Sequence, residues 1–140
     1  MRNDELHRVY LGLGSNLGDR ETNITRAIEL IRERVGLVIR QSSLIETEPW
    51  GFESEHTFVN AAILCETELS PRQVLCATQK IEREMGRQKK STDGGYSDRC
   101  IDIDILLYDD LRVDEPDLQI PHPLMLKRDF VMIPLREIRD

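Results

Sequence analysis

The sequence predicts an α+β fold in the order β-α-β-β-α-β, a sandwich of an antiparallel sheet with helices packed on it, followed by a C-terminal extension. Two segments carry the apolar period of amphipathic helices. Four others are β-branched or alternate in polarity, as strands do. Their order along the chain is that of the ferredoxin-like split β-α-β arrangement. The 140 residues read as one domain, 1–140, long enough to bury a core.

Residues 8–13 suit a first strand that runs into a glycine-rich turn. Asp19 is placed to cap a helix over 20–34, where Ile24, Ala27, Ile28 and Ile31 share one face and Gly36 closes the helix. Residues 37–46 suit a second strand, and Pro49 and Gly51 mark 47–57 as a loop. In a third strand, 58–67, Val59, Ala61, Ile63 and Cys65 fall on one face and Phe58, Asn60, Ala62 and Leu64 on the other. Both faces are largely apolar, as in a central strand, and Asn60 is the exception. Ser70, Pro71 and Gln73 open a second helix with a capping box. Its period runs through Val74, Leu75, Thr78, Ile81 and Met85 to Gly86. Residues 87–98 read as a long loop, 99–108 as a fourth strand and Asp109-Asp110 as a turn. Pro116, Pro121 and Pro123 keep the next stretch irregular, and 124–138 holds one or two short helices. The helices are expected on one face of the sheet.

Hydrophobic residues make up 39% and charged residues 32%, a soluble, globular balance. No apolar run approaches the roughly 20 residues of a membrane span, and the polar N-terminus lacks a signal-peptide core. A cytoplasmic protein is expected. Cys65, Cys76 and Cys100 are odd in number and widely spaced, which fits reduced thiols rather than disulfides or zinc. A net charge of −7 argues against general nucleic-acid binding.

The chemistry concentrates in Arg99-Cys100-Ile101-Asp102-Ile103-Asp104-Ile105. Asp102 and Asp104 project together on a strand, with the isoleucines opposite. Two adjacent carboxylates repel unless exposed or neutralised. A hard cation such as Mg2+ neutralises them while substrate phosphates supply further ligands. Arg83, Arg87, Lys89, Lys90 and Arg99 cluster before the pair and suit phosphate, although a solvated acidic edge beside a basic loop is the plainer alternative. The run Gly12-Leu13-Gly14-Ser15-Asn16-Leu17-Gly18 brings its third glycine one residue late for a dinucleotide fingerprint, and no Lys-Ser/Thr follows. That removes a nicotinamide-dependent oxidoreductase from consideration. Trp50, Phe52 and Phe58 lie close to Asn60 and suggest a slot for a flat heterocycle, unless they only anchor a loop. Gln79 and Glu82 sit on the second helix, and Pro121-His122-Pro123 and Lys127-Arg128-Asp129-Phe130 place a histidine, cations and an aromatic in one segment.

Five motifs occur in order: Leu13-Gly14-Ser15-Asn16-Leu17-Gly18, Phe58-Val59-Asn60-Ala61-Ala62, Gly86-Arg87, Arg99-x-x-Asp102-Ile103-Asp104-Ile105 and Pro121-His122-Pro123. Together they give a chain that, over nearly its whole length, resembles the 6-hydroxymethyl-7,8-dihydropterin pyrophosphokinase family. The resemblance implies transfer of pyrophosphate from ATP to the pterin hydroxymethyl group, with release of AMP, in folate biosynthesis. It implies two Mg2+ ions on Asp102 and Asp104, with Arg87 and Arg99 completing the catalytic set. It places Gln79, Glu82, Arg87, Lys89, Arg99, Ile105, His122 and Arg128 on the ATP side. On the pterin side it places Thr47 through its backbone, Glu48, Trp50, Asn60 at the ring edge, and Phe58 and Phe130 on the ring faces. Three loops near 15–22, 47–56 and 87–98 would close over the substrates. Ser97-Asp98, Tyr96 and Lys89 depart from the family's usual Gly-Pro, tryptophan and arginine. The implied partners are the two small-molecule substrates, with no nucleic acid, no membrane and a monomeric chain. The alternative is a non-catalytic ferredoxin-like module that binds a small ligand and regulates another protein.

Overall fold

The computed structural model describes residues 6–47, 57–86 and 100–139. Along the chain these form β1 (His7–Ser15), α1 (Arg20–Arg34), β2 (Gly36–Gln41), β3 (Ile45–Thr47), β4 (Phe58–Thr67), α2 (Pro71–Gly86), β5 (Asp102–Tyr108), β6 (Val113–Glu115), β7 (Leu118–Ile120) and α3 (Asp129–Ile138). The main sheet has the order β2-β4-β1-β5, and β3 also pairs with β4. Every neighbouring pair in it is antiparallel. The expected α+β order is therefore present, with β1 and β4 as the inner strands.

Alternation along the strands assigns two faces. Val9, Leu11 and Leu13 of β1, Val59, Ala61, Ile63 and Cys65 of β4, and Ile103 and Ile105 of β5 enter one core with Ile24, Ile28 and Ile31 of α1 and Val74 and Ile81 of α2. The helix starts behave as their residues predict. Asp19 accepts from Thr22 N at 3.2 Å. Ser70 Oγ accepts from Gln73 N at 3.2 Å while Gln73 Oε1 accepts from Ser70 N at 2.9 Å, a complete capping box.

The two helices of the β-α-β-β-α-β unit share one face, as expected. The C-terminal extension adds α3 on the opposite face, where Val131, Leu135 and Ile138 meet Leu106, Leu64 and Ala62. Its C-terminal end is tied down by Arg40 Nη1, which donates to Ile138 O at 2.7 Å. Ser43 adds its N–H and hydroxyl, donating to the Glu137 carboxylate at 2.8 and 2.6 Å.

Four local expectations are corrected. Residues 37–46 are two strands rather than one, broken at Ser42, whose N donates to Ala62 O and whose Oγ accepts from Ala62 N, both at 2.9 Å. Gly36 begins β2, while Val35 caps α1. A Cβ at Gly36 would lie 2.0 Å from Glu66 O, so close backbone approach explains the glycine. The proline-marked stretch contains a β6–β7 hairpin, which Arg72 pins to α2 by donating to Glu115 and Asp117. Finally, Gly12 and Gly14 lie within β1, and only Gly18, with φ +69, belongs to a turn.

Candidate active site

Strand register builds the site. Gly14 opposes Asp102 of β5 on one side and Asn60 of β4 on the other. One pleat along, Gly12 opposes Asp104 and Ala62. The rows Asp102–Gly14–Asn60 and Asp104–Gly12–Ala62 both face the α3 side, because Ile103 and Ile105 point into the α1/α2 core. With strands about 4.8 Å apart, Asp102 and Asn60 stand roughly 10 Å apart across a glycine floor. Asn60 is buried, whereas Asp102 and Asp104 are half-buried.

β5 is an edge strand whose flank is occupied at two points. Glu82 Oε2 accepts the backbone N–H of Ile103 at 2.7 Å, joining α2 to the residue between the aspartates. Farther along, the backbone N–H of His122 donates to Leu106 O at 3.1 Å and docks Pro121-His122-Pro123 against the strand. His122 Nδ1 accepts from Leu124 N at 3.2 Å, so the ring proton sits on Nε2, 3.9 Å from Asp104 Oδ1. Burial, then the positive charge of Arg128, holds the imidazole below its usual pKa against the opposing pull of Asp102. At neutral pH His122 is thus a neutral Nε2–H donor aimed at the carboxylate pair. Arg128 is buried just before α3, with its guanidinium 5.5 Å from the centre of the Phe130 ring.

The other expected residues fall as follows. Phe58 lies on the same face of β4 as Asn60, and its Cδ1 would stand 3.5 Å from a Cβ placed at Gly14. Phe130 belongs to the cluster around Leu106 and Met125. Thr47 pairs with Phe58 at the end of β3. Gln79 is exposed on α2. Ile105 turns its side chain into the α1/α2 core, which leaves only its backbone to meet a ligand. Arg87, Lys89, Arg99, Glu48 and Trp50 lie outside the described residues.

Two features escaped the sequence reading. Gly14 is the centre of the row, a position that only strand register reveals. Arg20, at the start of α1, forms a clasp with Glu46 and Thr57. Its Nη1 donates to Glu46 Oε2 at 3.1 Å, Thr57 O at 2.9 Å and Thr57 Oγ1 at 2.6 Å. The Thr57 hydroxyl donates in turn to Glu46 Oε2 at 2.6 Å, and these bonds hold the Glu46 carboxyl below its usual pKa. A basic residue just after an N-cap, with Glu before and Thr after a loop, was the available signal.

Among the described residues no group of three or more His, Cys, Asp or Glu side chains could hold a metal. Two half-buried carboxylates on one strand face suit Mg2+, which keeps waters and takes oxygen ligands from phosphates rather than from an all-protein cage. The donor set fits the ion that the sequence implies.

The chain is similar to known proteins over nearly its whole length. The family described as 7,8-dihydro-6-hydroxymethylpterin-pyrophosphokinase (HPPK) matches residues 10–140. A 2-amino-4-hydroxy-6-hydroxymethyldihydropteridine pyrophosphokinase from Porphyromonas gingivalis is 52% identical over 131 residues, 93% of this chain and 89% of that protein. The Aquifex aeolicus enzyme of the same name is 43% identical over 130 residues, 93% of this chain and 79% of that one. In fold, the chain resembles the Plasmodium falciparum HPPK-DHPS crystal structure, with a TM-score of 0.73, 18% identity, and coverage of 94% of this chain and 40% of that one. The chain therefore belongs to the 7,8-dihydro-6-hydroxymethylpterin-pyrophosphokinase family and is a pyrophosphokinase of folate biosynthesis.

Proposed function

We propose that the chain transfers the β,γ-pyrophosphoryl group of ATP to the hydroxymethyl oxygen of 6-hydroxymethyl-7,8-dihydropterin. The row Asp102–Gly14–Asn60 carries this reading, because it sets a metal-type carboxylate and a buried amide on one floor, roughly two strand spacings apart. Asn60 offers a donor and an acceptor to the edge of a pterin. Phe58, beside it, supplies an aromatic surface for the ring, and Phe130 would cover the other face.

Asp102 and Asp104 would hold two Mg2+ ions, which neutralise triphosphate charge and lower the barrier when bound. The nucleotide lies along the outer flank of β5, where Glu82 bonds to Ile103, His122 docks on Leu106 and Arg128 acts on His122; Gln79 and the Ile105 backbone would complete its contacts. His122 contributes a neutral N–H to phosphate oxygen, and Arg128 contributes fixed positive charge. Arg87, Lys89 and Arg99 complete the phosphate contacts, with Arg87 and Arg99 acting on the transferred group. Thr47, Glu48 and Trp50 close the pterin side.

In the transfer, the hydroxymethyl oxygen forms a bond to the β-phosphorus and its proton passes to solvent. The bond from that phosphorus to the α,β-bridging oxygen breaks, and AMP leaves with the oxygen. The chain's contribution is alignment and charge, with no covalent enzyme intermediate. The protein acts as a single cytoplasmic domain and a monomer. No helix among the described residues is long and apolar enough to cross a membrane.

The test is an assay with ATP, Mg2+ and the hydroxymethyl pterin in which the nucleotide product is identified. AMP formed in step with a pterin diphosphate is expected. ADP would point to single-phosphoryl transfer and overturn the assignment of the attacked phosphorus.

A further inference from the structure

The middle residue of the row that joins the two halves of the site has no side chain. A Cβ built on Gly14 would stand 2.8 Å from Asn60 Oδ1, closer than real Cβ atoms come to a neighbouring heavy atom. Gly14 is buried in a strand paired on both sides, so the backbone has little room to yield. The Asn60 carboxamide is what would have to turn. Backbone strain does not explain the glycine, because Gly18 is the one described glycine with positive φ. Glycine inside a strand also costs about 0.5–1 kcal/mol relative to alanine. Gly12, two residues back on the same face, makes a useful contrast. The three atoms nearest a Cβ there are Leu106 carbons, the closest at 3.4 Å, so the tight approach at Gly14 is not shared by Gly12.

We infer that Gly14 is a positioning residue for the acceptor substrate. Its bare backbone lets the Asn60 carboxamide lie where it meets the heterocycle edge. The inference deepens the pterin reading above and depends on it.

The experiment compares the unaltered protein with Gly14→Ala, Asn60→Ala and the double variant, measuring affinity for the hydroxymethyl pterin and, separately, for Mg-ATP. Gly14→Ala should weaken pterin binding by about tenfold, the scale of one ligand hydrogen bond, and leave Mg-ATP affinity within about twofold. The double variant should bind pterin no more weakly than Asn60→Ala alone, because the added methyl then has no carboxamide to displace. Normal pterin affinity in Gly14→Ala would overturn the inference, as would losses that multiply in the double variant. If Gly14→Ala does not fold, the double variant should recover a cooperative melt, and failure to recover it is a refutation. If the unaltered protein itself binds no pterin, the functional reading falls first and the inference with it. That outcome is distinct from a Gly14→Ala variant that binds pterin normally.

Discussion

Glu82 on α2 accepts the backbone N–H of Ile103, the residue that separates Asp102 from Asp104, at 2.7 Å. An edge strand has unpaired N–H groups and bends easily. This bond gives the strand a second fixed side at the point where the spacing of the two carboxylates matters. Glu82→Ala should lower Mg-ATP affinity and turnover together. Glu82→Gln, whose amide oxygen still accepts the N–H, should recover most of both. Equal losses in the two variants would mean that the charge of Glu82, and not its hydrogen bond, is what counts.

Asp102→Asn and Asp104→Asn keep the shape of the floor but remove the charge that would balance the proposed cation. Each should reduce kcat by about a thousandfold, roughly 4 kcal/mol of barrier, with the melting temperature held or raised. Near-normal turnover in either variant, measured at saturating Mg2+, would remove that aspartate from the metal site.

The Arg20 clasp connects α1 to Glu46 and Thr57, the neighbours of Thr47 and Phe58. Arg20→Ala should therefore weaken pterin binding a few-fold and spare Mg-ATP. The melting temperature should change little, since partly exposed ion pairs contribute little to stability. Arg20→Lys keeps a donor in reach and should give an intermediate affinity. A loss of stability with unchanged pterin affinity would show the clasp to be structural only.

The thiols should react in order of exposure. Cys65 is fully buried on β4, and burial pushes its pKa up to about 12, whereas Cys76 is exposed on α2. The thiolate is the reactive form. Ellman's reagent should label Cys76 in the native protein and Cys65 only after denaturation, as peptide mapping would reveal. Fast native labelling of Cys65 would contradict its place in the core.

Glu137 gives the α3 attachment a pH limit. The Ser43 hydroxyl and N–H hold its carboxyl below the ordinary glutamate value of 4.5. Its contribution to stability is therefore complete above pH 4.5 and is lost as pH falls through the lower folded-state value. Urea midpoints between pH 7 and 3 should converge for the unaltered protein and Glu137→Gln as the carboxyl is protonated. Parallel curves over that range would exclude the linkage.

Much of the fold was legible because its signals are local. The Asp19 cap, the Ser70/Gln73 box and the alternation of β4 each depend on a few neighbouring residues, and the structure has them where the sequence put them. The break at Ser42 and the β6–β7 hairpin were not legible, since the first depends on bonds to Ala62 and the second on pairing across Pro116. Placement of α3 on the far face depends on Arg40 and Ser43, distant in sequence. In the site, the shared direction of Asp102 and Asp104 follows from strand period alone. Their distance from Asn60 depends on two registers through β1, and no pattern within one segment encodes it. Gly14 shows this most clearly, reading as part of a turn until its two partners are known.

The antiparallel row across β4, β1 and β5 also sets an order of assembly during synthesis. β1 emerges first yet has no strand partner until β4 has been made, and one of its edges stays open until β5 follows. The Gly14–Asn60 half can form before Asp102 leaves the ribosome, so the amide end of the row precedes its carboxylate end. A chain halted between β4 and β5 would expose the free edge of its most central strand, the kind of template on which like chains associate.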